Sequence, residues 1–449
     1  MMEFFLKISR KIGIDSTVAY TVISRIWQSS SGLISIFVFA QFLLPEEQGF
    51  YFTFASIIAL QVFVELGFSA VIVQCVSHEC ANLNLLDCGI LVGPRQYRDR
   101  LASFMKLILK WYGVATLLII ILLLPSGYVF FLKQQAKYAG IVWQSPWFCL
   151  VLSFSIFFYL SPLLCFLEGC GRMKEVAKMR FIQDLVANLL LWGGCFGKIS
   201  LWVAPLCYAG RSLVVLLWVG TSWRRRFFTE LLASKPQTIV DWRNEVFPFQ
   251  WRMALSWVSG YFIFQLFNPV LFVYHGAVVA GQMGLSLSAC NSIAAIAIAW
   301  INTKTPVFGN LIAKKRYVEL DELFFRILKQ SFVVILFLVV CFIVMIYFLQ
   351  LFQPSLGGRF LPILPLLLLN GALLINHLSF SQAAYLRAHK REPLLVNSII
   401  MACLMGLSTY FLGRFYSAAG IACGYFVLTC FGLIWVTMVF LQKRRIWHC

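Results

Sequence analysis

Four charged side chains, Arg25, Glu65, Asp184 and Arg211, fall inside long apolar runs of a 449-residue sequence that is 61% hydrophobic and only 12% charged. A charge at the middle of a membrane helix costs about 2.5–3.5 kcal/mol on insertion scales, so each of the four needs a cavity or an opposite charge. Such groups mark substrate paths, ion paths and proton relays, or else they pair with one another. A guanidinium offers a planar fork of donors to carboxylate or phosphate oxygens, and a sheltered carboxylate takes up a proton or a cation. Two structural ion pairs, Arg25 with Glu65 and Asp184 with Arg211, are the plainer alternative. Depth along the runs favours the first pair. Asp184 falls near the inner end of its run and Arg211 near the middle of the next, a poor match that leaves Arg211 the freer cation.

Uncharged polar groups form further faces at steps of three and four residues. Arg25, Gln28, Ser29, Gly32 and Ser35 make one, Gln61, Glu65 and Ser69 a second, and Asn370, His377 and Ser381 a third, flanked by Asn376 and Gln382. Gln265 and Asn268 precede Pro269. Groups of this kind hydrogen-bond sugar hydroxyls, but they also serve as helix-helix contacts or repair the backbone beside a proline. His377 fits either an interior histidine with a hydrogen-bond partner or a proton relay. Of 14 tryptophans, Trp27, Trp111, Trp143, Trp147, Trp202, Trp223, Trp251 and Trp300 fall near the ends of apolar runs, as an aromatic belt requires. Trp257, beside Ser256, Ser259 and Gly260, is the exception and suits stacking on a ring.

Enzymatic constellations are missing. The sequence has no glycine-rich phosphate loop ending in Lys-Ser/Thr, no metal-binding histidine pair at helical spacing and no Gly-x-Ser-x-Gly elbow. Cys75, His78, Cys80 and Cys88 form a thiol-imidazole group, yet their spacing matches no common zinc finger, and reduced thiols with no metal are the expectation. The 14 cysteines show no outside pairing pattern. No cofactor is implied.

The elements that must hold these residues are membrane helices. Apolar runs of about 20 residues, the length that crosses roughly 30 Å of hydrocarbon, occur near 18–44, 50–76, 103–124, 146–167, 181–197 and 201–221, then near 253–274, 277–302, 332–352, 361–386, 394–412 and 418–441. With the first run acting as an uncleaved anchor and the N-terminus inside, 30 of the 37 Lys and Arg residues fall in or beside inner segments. Only Lys133, Lys137, Lys198, Arg359 and Arg414 fall outside. The positive-inside rule then puts both termini in the cytoplasm. The net charge of +19 is spread over seven segments and serves orientation; no basic stripe for nucleic acid exists.

Six runs per half imply parallel repeats. Glu47-Gln48-Gly49 followed by 55–59 parallels Gly281-Gln282-Met283-Gly284 followed by 291–295, and the loop 171–175 parallels 388–392. The expected organisation is an N-terminal lobe over 1–221, a cytoplasmic linker over 222–252 rich in Arg and Lys, and a C-terminal lobe over 253–449 ending in a cytoplasmic tail. Leu320, Leu323, Phe324, Ile327 and Leu328 predict an amphipathic helix lying in the membrane interface ahead of the ninth run.

Several patches carry a family resemblance. Leu44-Pro45-Glu46-Glu47-Gln48-Gly49-Phe50-Tyr51 continuing to Glu65-Leu66-Gly67, then Ser77-His78-Glu79, resembles the N-terminal region of bacterial polysaccharide repeat-unit flippases of the Wzx type, in the MATE-like exporter superfamily. Ala280-Gly281-Gln282-Met283-Gly284, Thr303-Lys304-Thr305-Pro306 and Leu386-Arg387-Ala388-His389-Lys390-Arg391-Glu392-Pro393 resemble their C-terminal segments. The resemblance implies an all-α polytopic protein of about twelve transmembrane helices, in two six-helix lobes around a central cavity. It implies alternating-access transport, in the bacterial inner membrane, of polyprenyl-diphosphate-linked oligosaccharides for O-antigen or another surface polysaccharide. A polysaccharide polymerase and a chain-length regulator are the partners it suggests. On this reading Arg25, Arg211 and Arg252, at the mouth of the seventh run, contact the diphosphate. Gln28, Trp257, Asn291, Asn370 and His377 contact the glycan, and Glu65 and Asp184 are the ion-coupling candidates. A cation-coupled drug exporter of the same superfamily, dependent on Glu65 or Asp184, and a membrane polysaccharide polymerase are the competing readings; short outer loops disfavour the polymerase.

Overall fold

The computed structural model describes residues 16–86, 88–138, 140–389 and 392–448, with side chains for Trp27 and from Ser30 onward except Ser222, Phe249 and Pro306. Helices dominate. In chain order they are α1 (Ser16–Phe42), α2 (Pro45–Glu65, with a 3-10 turn inside), α3 (Phe68–Cys80), α4 (Arg95–Leu132), α5 (Gln144–Gly169), α6 (Met173–Phe196), α7 (Val203–Gly220), α8 (Ser222–Ala233), α9 (Phe247–Phe264), α10 (Phe267–His275), α11 (Ala277–Ala313), α12 (Tyr317–Phe352), α13 (Ile363–Ala388) and α14 (Leu395–His448). A two-stranded antiparallel ribbon pairs Asn84 with Val92 and Leu85 with Leu91.

Nine helical stretches are long and apolar enough to cross a membrane. α14 is two helices joined at Ser417, whose φ of 58° breaks the helix; α1 and α6, which are not among the nine, cover the first and fifth expected runs, so each of the twelve runs is helical among the described residues. α12 shows why the solvent is lipid. One face buries Phe324, Ile327, Ile335, Val339 and Ile346, while the opposite face exposes Val333, Phe337, Val340, Tyr347 and Phe348. A helix apolar all round is stable only where hydrocarbon replaces water.

Two passes are interrupted, and the interruptions revise the expected polar faces. Leu66 and Gly67 both adopt left-handed backbone, with φ 54° and 65°, and split the second pass into α2 and α3. Gln61, Glu65 and Ser69 therefore do not form one continuous helical stripe, because the break re-aims the residues that follow it. The seventh pass splits between Phe264 and Phe267. Pro269 then lies in the first turn of α10, where a missing N–H has no helical acceptor to lose.

Contacts sort the chain into two compact units, whose described parts are 16–27 with 57–258 and 28–56 with 259–448. Residues 28–56 thus pack with the second unit. In the first unit, the residues expected to form the linker include helix α8 and a short π turn at Trp242–Val246 capped by Asp241, whose carboxylate accepts from the backbone N–H of Arg243 and Asn244. Trp143 and Trp147 are fully buried against Phe131, at 5.5 and 5.8 Å between ring centroids. They are core residues and not part of a belt; Trp202, Trp251 and Trp300 remain exposed at 41–43%.

In the second unit the two motifs that parallel one another in sequence pack together. Gln48 is 1% exposed, and its Nε2 donates to the carbonyls of Gly281 at 2.8 Å and Arg359 at 3.1 Å. A Cβ on Gly281 would sit 2.9 Å from the Gly49 nitrogen, so α2 and α11 approach to backbone contact through small residues. The segment expected to lie in the membrane interface behaves otherwise. Leu320, Phe324 and Ile327 are buried with Tyr385, Leu386 and Phe440, because α12 begins at Tyr317 and has protein on that face.

Candidate functional site

In the first unit the Arg211 guanidinium donates to Asp184 Oδ1 at 3.1 Å, with the two side chains 31% and 20% exposed. The guanidinium also lies over the rings of Tyr208 at 5.8 Å and Phe157 at 6.0 Å. The expectation of a poorly matched pair is thus overturned. α6 begins at Met173, eight residues ahead of the apolar run, and α7 ends at Gly220. At 1.5 Å per residue Asp184 lies about 17 Å from one helix end and Arg211 about 14 Å from the neighbouring one, so their depths agree. Arg211 is not a free cation; its charge is compensated within the unit.

Glu65, 7% exposed, ends α2 at the break. Ser69 donates to its carboxylate, and the Tyr112 hydroxyl donates to the same oxygen at 3.3 Å. Ser69, the second residue of α3, also lies 3.0 Å from the Tyr112 hydroxyl. The side chains of Arg25 and Gln28 lie outside the described residues, so the proposed Arg25–Glu65 pair and the Gln28 glycan contact do too. Arg252 is exposed and stacks on Trp251 at 5.6 Å. Trp257 is 44% exposed and lies where a Cβ on Gly67 would meet its ring at 3.2 Å.

In the second unit a cavity of about 360 Å3 opens between α2, α10 and α11, lined by Ser56, Gln265, Asn268, Ser288, Asn291 and Ser292 with Phe52 and Phe264 among its apolar walls. Its volume falls within the range of small-molecule sites, about 300–1,000 Å3. No charged side chain lines it. Asn268, 7% exposed, donates through Nδ2 to Ser56 Oγ at 3.2 Å, while its buried Oδ1 has no partner among the described residues. Ser292 Oγ donates to the Ser288 carbonyl at 3.0 Å, and Asn291 is exposed to the cavity. An uncharged wall of carboxamides and hydroxyls suits a ligand rich in hydroxyl or amide groups.

Asn291 is brought to this cavity; Asn370 and His377 are not. Asn370 is fully buried, its Nδ2 donating to the Leu366 carbonyl at 2.9 Å. His377 is 3% exposed and shares a 2.9 Å hydrogen bond with Ser331 Oγ. Both are interior packing groups, which corrects their assignment to the glycan, because each has its partner within the helix bundle. Ser56, Ser288 and Ser292 were not singled out from sequence. The signal was present: Gly284, Ser288, Asn291 and Ala295 recur at helical spacing as one small, polar face of α11. Cys80, from the suspected metal cluster, lies 3.4 Å from Cys170 Sγ to Sγ. No group of three metal-ligating side chains occurs among the described residues.

The chain has the all-α fold of a class of polytopic membrane transporters. In particular, it is similar to a multidrug resistance MATE family transporter of the MOP superfamily in its inward-facing conformation, with a TM-score of 0.62, 14% identity, and coverage of 94% of this chain and 99% of that one. It is similar to the lipid II flippase MurJ, with a TM-score of 0.57, 13% identity, and coverage of 93% and 87%. A third similar structure is a MOP superfamily transporter from Pyrococcus furiosus described as having a binding pocket of reversed polarity, with a TM-score of 0.56, 15% identity, and coverage of 95% and 96%. No protein-family model matches the sequence, and no curated protein matches it.

Proposed function

We propose that this protein is a flippase that carries polyprenyl-diphosphate-linked oligosaccharide repeat units from the cytoplasmic to the outer leaflet of the bacterial inner membrane by alternating access. The observation that carries this reading is the uncharged cavity of the second unit, which Gln265, Asn268 and Asn291 line with carboxamides. Neutral sugar hydroxyls and acetamido groups satisfy such a wall, whereas a drug cation leaves its charge unpaired there. The two intramembrane carboxylates are already engaged, Asp184 by Arg211 and Glu65 by two hydroxyls. The similarity to a protein described as a lipid II flippase is consistent with the proposal.

Within this proposal Asn268, Gln265 and Asn291 hold the glycan and the exposed Arg252 contacts the diphosphate. Arg211 sets the helix pairing that supports the path. Glu65, a buried carboxylate whose partners among the described residues are hydroxyls, is the coupling site for a proton or monovalent cation.

The test is reconstitution into proteoliposomes with a fluorescent polyprenyl-diphosphate oligosaccharide and readout of its accessibility to a membrane-impermeant quencher. Wild type is expected to equilibrate the substrate between leaflets, and Asn268→Leu and Asn291→Leu to slow this at least tenfold. Wild-type vesicles that move a cationic dye and leave the glycolipid in place would make the protein a drug exporter instead.

A further inference from the structure

A second concavity, of about 600 Å3, lies on the flank of the first unit between the end of α2 and α4, with Phe63, Leu66, Trp111, Leu118, Leu122 and Trp242 among its walls. It is open to the surroundings, since Leu118 and Leu122 are 43% and 53% exposed, and in a membrane helix those surroundings are lipid. The left-handed backbone at Leu66 and Gly67 ends α2 here.

Its polarity is graded along α4. Lys110 is the one charged residue of its lining, and toward the C-terminal end of α4 only apolar side chains follow it. From Lys110 to Leu122 is 12 residues, about 18 Å of helix, close to the depth of one leaflet of a hydrocarbon core about 30 Å thick. Lys110 is exposed and forms no hydrogen bond or ion pair among the described residues. An uncompensated ammonium at the interfacial end of a leaflet-deep apolar trough matches a phosphate head and an acyl chain. We infer that this crevice is a binding site for one anionic phospholipid of the leaflet on the side of the basic loops, with its phosphate on Lys110 and its chain along Leu118 and Leu122. The inference does not depend on the transported substrate.

Native mass spectrometry of the full chain in detergent, titrated with a phosphatidylglycerol and separately with a phosphatidylcholine of the same chains, tests it. Wild type should retain one phosphatidylglycerol in preference to phosphatidylcholine. Lys110→Ala should weaken phosphatidylglycerol binding about fivefold, the factor expected for one lysine beside an anionic headgroup, and leave phosphatidylcholine unchanged. Leu118→Trp, which fills the trough from an exposed position, should reduce retention of both; melting temperature and gel filtration verify that each variant is folded. Equal retention of the two lipids by wild type, or undiminished phosphatidylglycerol binding in both variants, overturns the site. Preferential retention of a polyprenyl phosphate that Leu118→Trp abolishes also overturns it, and assigns the crevice to the carrier lipid.

Discussion

Arg211 and Asp184 should behave as a coupled pair, with either one alone worse than neither. The two side chains are 31% and 20% exposed and meet at 3.1 Å. Breaking a fully buried pair costs about 3–5 kcal/mol, an exposed pair contributes at most about 1 kcal/mol, and a lone charge at mid-helix costs about 2.5–3.5 kcal/mol on insertion scales. Partial exposure places each single substitution between these limits. Arg211→Ala and Asp184→Ala should each destabilise by about 2–3 kcal/mol. The double variant should lose only about 1 kcal/mol, because no uncompensated charge remains. The coupling energy is then about 3–5 kcal/mol, well above the few tenths found between independent sites. Reversible unfolding in mixed micelles, monitored by tryptophan fluorescence across the four-member cycle, measures it. Losses that simply add would refute the pairing, and so would a double variant less stable than both singles.

Three further outcomes follow from the geometry. Gly281→Val should destabilise by several kcal/mol or prevent folding, since even a Cβ would lie 2.9 Å from the Gly49 nitrogen and backbone cannot yield as a flexible side chain does; expression and thermal stability in detergent report it. Lys198, at φ 54° in an exposed turn, holds a left-handed backbone that glycine adopts without strain, so Lys198→Gly should stabilise by about 1 kcal/mol, visible as a raised unfolding midpoint. The Asp241 carboxyl is held below its ordinary range by the Asn244 side chain first and by the N–H groups of Arg243 and Asn244. A depressed folded value means that its contribution is complete above the ordinary carboxylate pKa, near 4, and is lost as pH falls through the lower folded one. Protection of residues 241–246 from hydrogen exchange, corrected for intrinsic rates, should therefore decline on acidification below about pH 4, and Asp241→Asn should remove that dependence.

Much of the fold was legible in the residues because lipid imposes a single rule. Every pass must satisfy its own backbone hydrogen bonds, so twelve apolar runs become helices whatever their neighbours. The breaks were not legible. Leu66 adopts a conformation that its side chain disfavours, and only packing around it can hold it there. The same limit applied to Leu320, Phe324 and Ile327: their spacing specified an apolar face, but whether that face meets lipid headgroups or Tyr385 and Phe440 depends on what lies opposite. For the candidate site, Asn291, Asn370 and His377 were indistinguishable as polar residues on apolar helices. The structure separates them by burial and partners, exposing Asn291 to the cavity and closing Asn370 and His377 against Leu366 and Ser331.

By itself, then, the sequence determined the class of molecule, an all-α membrane protein with a polar minority that must be sheltered, because hydropathy and the helical period are properties of single segments. Which polar groups meet was decided only in three dimensions. Arg211 looked like a spare cation until the true start of α6 brought Asp184 to its depth. Ser56 and Asn268, 212 positions apart, became one wall only when α2 and α10 packed together. Pairing and cavity are relations between helices, set by where each begins, bends and crosses its neighbour, and no single segment encodes them.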